Sequence, residues 1–262
     1  MGNSIKSKTE KEIHLMRQGG SILARALRKV VGHVVTGVSL KELDGYAQQY
    51  LEEAGGEAAF RGYQGSGGAR SYPATLCASV NDEIVHGIGT RDIILKEGDI
   101  VGLDLGVRYP AKNGLYTDMA VTVGVGKISS EAATLMAVTQ QALVRGIALV
   151  RPGQDIKVIS KEIQLCAESY GYGVIRDLTG HGIGYALHED PPIFNYDEKN
   201  APSVILKEGM TVCIEPMIST GTWRVKVDPD GWTIRTADKS LAAHFEHTIL
   251  VTAHGSEVIT HF

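Results

Sequence analysis

Cysteine, apolar runs of membrane length and any strong excess of one charge are all scarce in this sequence. The three cysteines, Cys77, Cys166 and Cys213, are too few and too scattered for a disulfide framework, and their spacing matches no zinc-site pattern. Such usage fits a reducing compartment, so a cytoplasmic location is expected. No stretch approaches the roughly 18 consecutive apolar residues of a membrane span. The N-terminal segment, MGNSIKSKTEKEIHLMRQGG, lacks the apolar run of a signal peptide. Lys and Arg total 26 against 30 Asp and Glu, a net charge of −4, which gives no global attraction for nucleic acid. No Pro/Ser-rich linker divides the 262 residues, so one domain over 1–262 is expected. With 43% hydrophobic and 21% charged residues, the chain can bury a core rather than remain disordered.

What is present is an internal repeat. Residues 37–56 (GVSLKELDGYAQQYLEEAGG) and 153–173 (GQDIKVISKEIQLCAESYGYG) each read as glycine, capping residue, helix and glycine stop. Ser39 and Glu42 form a capping-box pattern, and Asp155 can cap the second helix. Leu43, Tyr46, Ala47, Tyr50, Leu51 and Ala54 fall on one face of the first helix. Ile156, Ile159, Ile163, Cys166, Ala167 and Tyr170 fall on one face of the second. Further helical patterns precede each, at about 9–34 and 130–149. Downstream, His86-Gly87-Ile88-Gly89 recurs as His181-Gly182-Ile183-Gly184, and Leu95-Lys96-Glu97-Gly98 recurs as Leu206-Lys207-Glu208-Gly209. Six residues past the last glycine of each comes an acid, Asp104 in one half and Glu215 in the other. The order of these matches predicts two related halves, roughly 9–123 and 130–252, around a pseudo-twofold axis. Sites in such folds often lie between the halves.

The later part of each half is strand-like. Val101, Leu103, Leu105 and Val107 share one strand face, and Gly102, Asp104 and Gly106 share the other. The two glycines are expected to leave room beside the Asp104 carboxylate. A turn at Pro110, Asn113 and Gly114 returns the chain through 116–123, so Asp104 and Asp118 are expected on neighbouring antiparallel strands. Residues 211–215 and 245–251 repeat the arrangement with Glu215 and Glu246. One acid in a strand is usually a solvated edge residue. Four acids placed by a repeat in apolar strands are costly to bury unless they are paired or hold cations. With His181 as a nitrogen donor, such a set suits Mn, Fe(II), Co or catalytic Zn, and not a thiolate zinc site. Two such ions can hold a water, lower its pKa and polarise a carbonyl.

The motifs Ser79-Val80-Asn81-Asp82-Glu83-Ile84-Val85-His86-Gly87, Gly180-His181-Gly182-Ile183-Gly184, His188-Glu189, Gly209-Met210-Thr211, Ile214-Glu215-Pro216-Met217, Trp232-Thr233 and Glu246-His247-Thr248 are specific in combination. Through them the whole chain resembles the methionine aminopeptidases, in their short type I form. The segment between His181 and Glu215 is too short for the helical insertion of type II enzymes. The resemblance implies a pita-bread α+β fold, two pseudo-symmetric halves with an antiparallel sheet and flanking helices. It implies two divalent metal ions held by Asp104, Asp118, His181, Glu215 and Glu246, with Asp118 and Glu246 bridging both. Glu215 matches the general base. His86 matches a histidine near the scissile nitrogen, and His188 matches one that hydrogen-bonds the carbonyl oxygen. Tyr72, Cys77 and Trp232 match positions of the methionine pocket, joined by Tyr63, although each could equally be plain core packing. The implied reaction is hydrolytic removal of the initiator methionine from nascent chains, with a small second residue preferred. A monomer is the family's usual state, and a place near the ribosome would fit the substrate.

Some residues depart from the family pattern. The turn between Asp104 and Asp118 is longer than usual, and Tyr116-Thr117-Asp118 looks more like the Xaa-Pro-cleaving relatives of the same fold. Leu187 replaces an aromatic residue. The stretch Gly65-Ser66-Gly67-Gly68 is extra and is expected at the pocket rim. His244, two residues before Glu246, is atypical and reads as an outer neighbour of the site or a bystander. His14, His33, His254 and His261 read as surface residues and His247 as structural. An Xaa-Pro aminopeptidase and a metal-free binding module are the competing readings. The second is disfavoured because all four acids and His181 are present.

Overall fold

Each long helix starts on a side chain that accepts a backbone N–H, which is what fixes its first residue. The structure is a computed structural model that describes residues 5–65 and 70–262. Ser66, Gly67 and Gly68 of the extra stretch lie outside the described residues. Helix α1 (Glu10–Val31) begins on a Thr9–Glu12 capping box that the repeat analysis did not single out. Helix α2 (Leu40–Glu53) begins on the expected Ser39–Glu42 box. Helices α3 (Ser130–Ile147) and α4 (Ile156–Glu168) are capped by Ser129 and Asp155. Two expectations fail at helix ends. Tyr170 is 51% exposed, because α4 stops at Glu168 and its periodicity no longer applies. His33 is not a surface residue: beyond the end of α1 it stacks on Tyr46, with ring centroids 4.0 Å apart, and pairs with the Tyr50 hydroxyl at 2.9 Å.

The strands, in chain order, are β1 (Glu57–Ala58), β2 (Cys77–Val80), β3 (Glu83–Val85), β4 (Ile100–Tyr109), β5 (Leu115–Gly124), β6 (Gly173–Val174), β7 (Thr179–Gly182) and β8 (Glu189–Phe194). They continue with β9 (Thr211–Ile214), β10 (Met217–Ser219), β11 (Val225–Val227), β12 (Ile234–Thr236), β13 (Ala242–His244), β14 (Glu246–Val251) and β15 (Ser256–Val258). A nine-stranded sheet runs β1-β4-β5-β14-β9-β7-β8, with β2 on β4 and β15 on β14. The β4–β5 hairpin of the first half and the β9–β14 pair of the second meet where Glu246 faces Ala120 and His247 faces Met119. The sheet therefore passes from one half to the other without a break.

Alternation along these strands places the chemistry. Val101, Leu103, Leu105 and Val107 of β4, Met119 and Val121 of β5, Val212 and Ile214 of β9, and Ile249 and Val251 of β14 join Leu23, Leu27, Leu43 and Ile159 of the helices in the main core. Each acid lies an odd number of residues from those positions, so all four turn to the opposite face. Asp118 pairs with Gly106 and Asp104 with Ala120, which makes the two acids diagonal neighbours on adjacent antiparallel strands. Of the two glycines beside Asp104, Gly106 has a different reason from the one expected. A Cβ on Gly106 would come within 2.8 Å of the Phe60 ring and 2.9 Å of Ala59, so that glycine admits packing from the protein itself. A Cβ on Gly102 would meet only ordinary contacts.

Candidate active site

A cavity of about 460 Å³ opens on the face of the sheet away from the helices. Tyr63, Tyr72, Cys77, His86, Asp104, Asp118, His181, His188, Glu215, Trp232 and Glu246 all line it. The eleven residues singled out in the sequence thus converge from five strands and the loops beside them.

The acids form its floor. Asp118, Glu215 and Glu246 are buried, at 3%, 9% and 2% exposure. The main chain of Asp118 is clamped by Thr248, whose hydroxyl accepts from Asp118 N and donates to Asp118 O, both at 2.9 Å. Two of the floor's carboxylate oxygens, Asp104 Oδ1 and Glu246 Oε1, are buried with no hydrogen-bond partner among the described residues. One atom each of Asp104, Asp118 and Glu246 lie within 4.8 Å of one another. His181 donates from Nδ1 to the Gly182 carbonyl at 2.9 Å, which leaves the Nε2 lone pair 3.5 Å from Glu215 Oε1. Burial raises Asp104, helped by the Asp118 and Glu215 charges. It lifts Asp118 to about 7. It also raises Glu215 and Glu246, each further raised by the Asp118 charge. The same burial lowers His181 to about 3, with His188 adding to the effect. Left to itself, the site favours protonated acids and neutral imidazoles. Converging carboxylates with orphaned oxygens and a free imidazole lone pair are a donor set for divalent cations.

The walls carry the remaining groups. His86 has φ 58 at the end of β3, and burial and His188 lower it to about 4. Its ring meets Trp232 edge to face at 6.3 Å, and Trp232 meets Tyr72 at 5.2 Å. The Tyr72 hydroxyl donates to Gly87 O at 2.9 Å, so the apolar part of this ring faces the cavity while its polar tip is satisfied. Cys77 lies opposite Asp104 across β2 and β4, and burial pushes its thiol well up, so it stays neutral. His188 packs edge-on against His181 at 4.4 Å, and its Nδ1 pairs with the Tyr63 hydroxyl at 2.6 Å.

Several supports were not visible in the sequence. Asp44 of α2 is buried and accepts from Thr75 N and Leu76 N, both at 2.8 Å, which pins the approach to Cys77. Asp230 accepts from Trp232 N and Thr233 N, each at 2.8 Å. Arg235 ties Asp82, Glu83 and Asp228 together around the strand that leads to His86. The only sequence hint of Asp44 is its place beside Leu43 on the buried stripe. The others depend on partners distant in sequence.

Comparison with known proteins gives the family. Residues 14–253 match metallopeptidase family M24. A methionine aminopeptidase of Mycoplasma capricolum is 41% identical over 258 residues, covering 98% of both chains. The crystal structure of a methionine aminopeptidase from Thermotoga maritima superimposes with a TM-score of 0.92 at 42% identity, covering 98% of this chain and all of that one. The prolidase of Pyrococcus furiosus shares the fold, with a TM-score of 0.76 at 23% identity, but this chain spans only 65% of it. The chain therefore belongs to metallopeptidase family M24, with the pita-bread fold, and groups there with the methionine aminopeptidases.

Proposed function

We propose that this protein removes the N-terminal methionine from peptides and nascent chains by hydrolysis, with a small second residue preferred. One domain over 1–262 carries the activity. The observation that supports it most is the single cavity in which a carboxylate and imidazole floor lies beneath an apolar wall. Asp104, Asp118, His181, Glu215 and Glu246 would hold two divalent ions. Bound there, the ions supply Lewis-acid polarisation of the scissile carbonyl and a water of lowered pKa.

The chain's own groups do the rest. Glu215 takes the water's proton. With the Tyr63 hydroxyl donating to Nδ1 of His188, the ring proton stays on Nε2, free to donate to the carbonyl oxygen. His86, neutral at pH 7, contacts the peptide near the scissile nitrogen. Tyr63, Tyr72, Cys77 and Trp232 receive the thioether side chain, for which a polarisable apolar wall is suited. We place the work in the cytoplasm, on chains emerging near the ribosome, performed by a monomer. The three cysteines are free and buried, as suits a reducing compartment. No helix among the described residues is long and apolar enough to cross a membrane.

The test is hydrolysis of Met-Ala-Ser, Met-Lys-Ser and Ala-Pro-Ser by metal-stripped protein, with Mn, Co, Fe(II) or Zn restored. Release of Met from Met-Ala-Ser alone is expected. Cleavage of Ala-Pro-Ser instead would move the activity to the Xaa-Pro branch and give weight to Tyr116-Thr117-Asp118.

A further inference from the structure

His244 is the last residue of β13 and is 3% exposed. Its main chain is fixed by Thr122, on the same face of β5 as Asp118. That hydroxyl accepts from His244 N at 2.9 Å and donates to His244 O at 2.7 Å. The imidazole Nε2 is buried and has no hydrogen-bond partner among the described residues. It lies 3.5 Å from Glu215 Oε2 and 3.9 Å from Glu246 Oε2.

Those spacings decide between two roles. A charge-assisted hydrogen bond would bring the nitrogen to about 2.7–2.9 Å from a carboxylate oxygen. Two donors on one ion, each about 2.1 Å from it, stand roughly 3.0–3.4 Å apart, depending on octahedral or tetrahedral geometry. Both distances are too long for the first, and the 3.5 Å spacing to Glu215 lies near the second. Glu215 itself supplies the comparison. Its Oε1 is 3.5 Å from His181 Nε2, and its Oε2 is 3.5 Å from His244 Nε2. The two imidazoles flank one carboxylate at matched spacing. Donor atoms of Glu215, His244 and Glu246 lie within 4.8 Å of one another, as those of Asp104, Asp118 and Glu246 do.

We propose that His244 is a sixth metal-ligating side chain, which adds a second imidazole to the divalent-metal site. This rests on the metal site proposed above. A second nitrogen donor shifts the set towards Co, Fe(II) and Zn and away from Mn and Mg, which carboxylate oxygens serve as well.

The experiment is a crystal structure of the Co(II)-loaded wild-type protein with anomalous data, together with calorimetric metal titration of wild type and His244→Gln. An anomalous peak about 2.1 Å from His244 Nε2 is expected. His244→Gln should lose at least ~10-fold in affinity for one Co(II) and less for Mn(II), while its metal-free melting temperature stays near wild type. Cobalt among the acids but farther than about 3 Å from Nε2, or equal Co(II) affinities, overturns the role of His244 and leaves the five-residue site standing. Absence of cobalt from the acids overturns both. The wild-type crystal decides the matter even if the variant does not fold.

Discussion

Loading the site with metal should expel protons. In the metal-free protein Asp118 lies at about 7, and Asp104, Glu215 and Glu246 are raised by burial and by one another's charges. His181 at about 3 and His86 at about 4 are already neutral at pH 7 and release nothing. Saturation near neutrality should therefore free protons from these acids, with Asp118 alone supplying about half of one at pH 7. Each proton released makes apparent metal affinity rise about tenfold per pH unit, or ~1.4 kcal/mol. Stability follows the same linkage. Acids raised in the folded state add stability below their ordinary range near 4, and lose it as pH rises through their folded values, about 7 for Asp118. The lowered histidines add stability above about 6.5 and lose it as pH falls towards 4 and 3. The melting-temperature gap between loaded and stripped protein should thus widen from pH 6 to 8. Titration calorimetry in buffers of different ionisation enthalpy counts the protons. Release of less than one proton, or affinity flat between pH 6 and 8, would refute a site of protonated buried acids.

Glu215→Gln keeps the shape of the side chain but removes the base, so turnover should vanish while circular dichroism is unchanged. His188→Ala should lower kcat by ~10²–10³, the order for one lost oxyanion donor. Tyr63→Phe should lower kcat less, because it frees the imidazole without removing it, and steady-state assays on Met-Ala-Ser would rank the two. Asp44→Ala leaves two buried N–H groups, those of Thr75 and Leu76, without an acceptor, and should cost about 2–4 kcal/mol in urea unfolding.

The fold was legible where local rules act alone. Helix faces, the Ser39 and Asp155 caps and the alternation that turns Asp104, Asp118, Glu215 and Glu246 to one side follow from periods of 3.6 and 2. The duplicated motifs made the convergence of those acids readable as well. Periodicity is silent on features whose cause lies far along the chain. The reason for Gly106 is Phe60, some 46 residues away, and not the room beside the Asp104 carboxylate that the strand pattern suggested. Arg235 meets Asp82 across 153 positions. His33 was assigned to the surface because nothing in its neighbourhood announces the Tyr46 stack.

Duplication makes the halves resemble each other, yet the contacts between them argue that neither stands alone. Strand β5 ends the first half's part of the sheet, and without β14 its backbone groups opposite Glu246 and His247 become an open edge. Asp118 loses the Thr248 hydroxyl that serves both its N–H and its carbonyl. Helix α1 loses the close seat of Gly20 on Ile259, where a Cβ would stand only 2.5 Å from that residue, and Lys8 loses both Gly209 O and the Glu189 carboxylate. Each fragment keeps two acids from the floor without the other two. Separate fragments 1–126 and 127–262 should therefore show no cooperative urea transition, and an equimolar mixture should regain one, strengthened by divalent metal. A sigmoidal transition in 1–126 alone would show that the helix-side core suffices, and that the inter-half strand contact is a docking of finished domains rather than part of the fold.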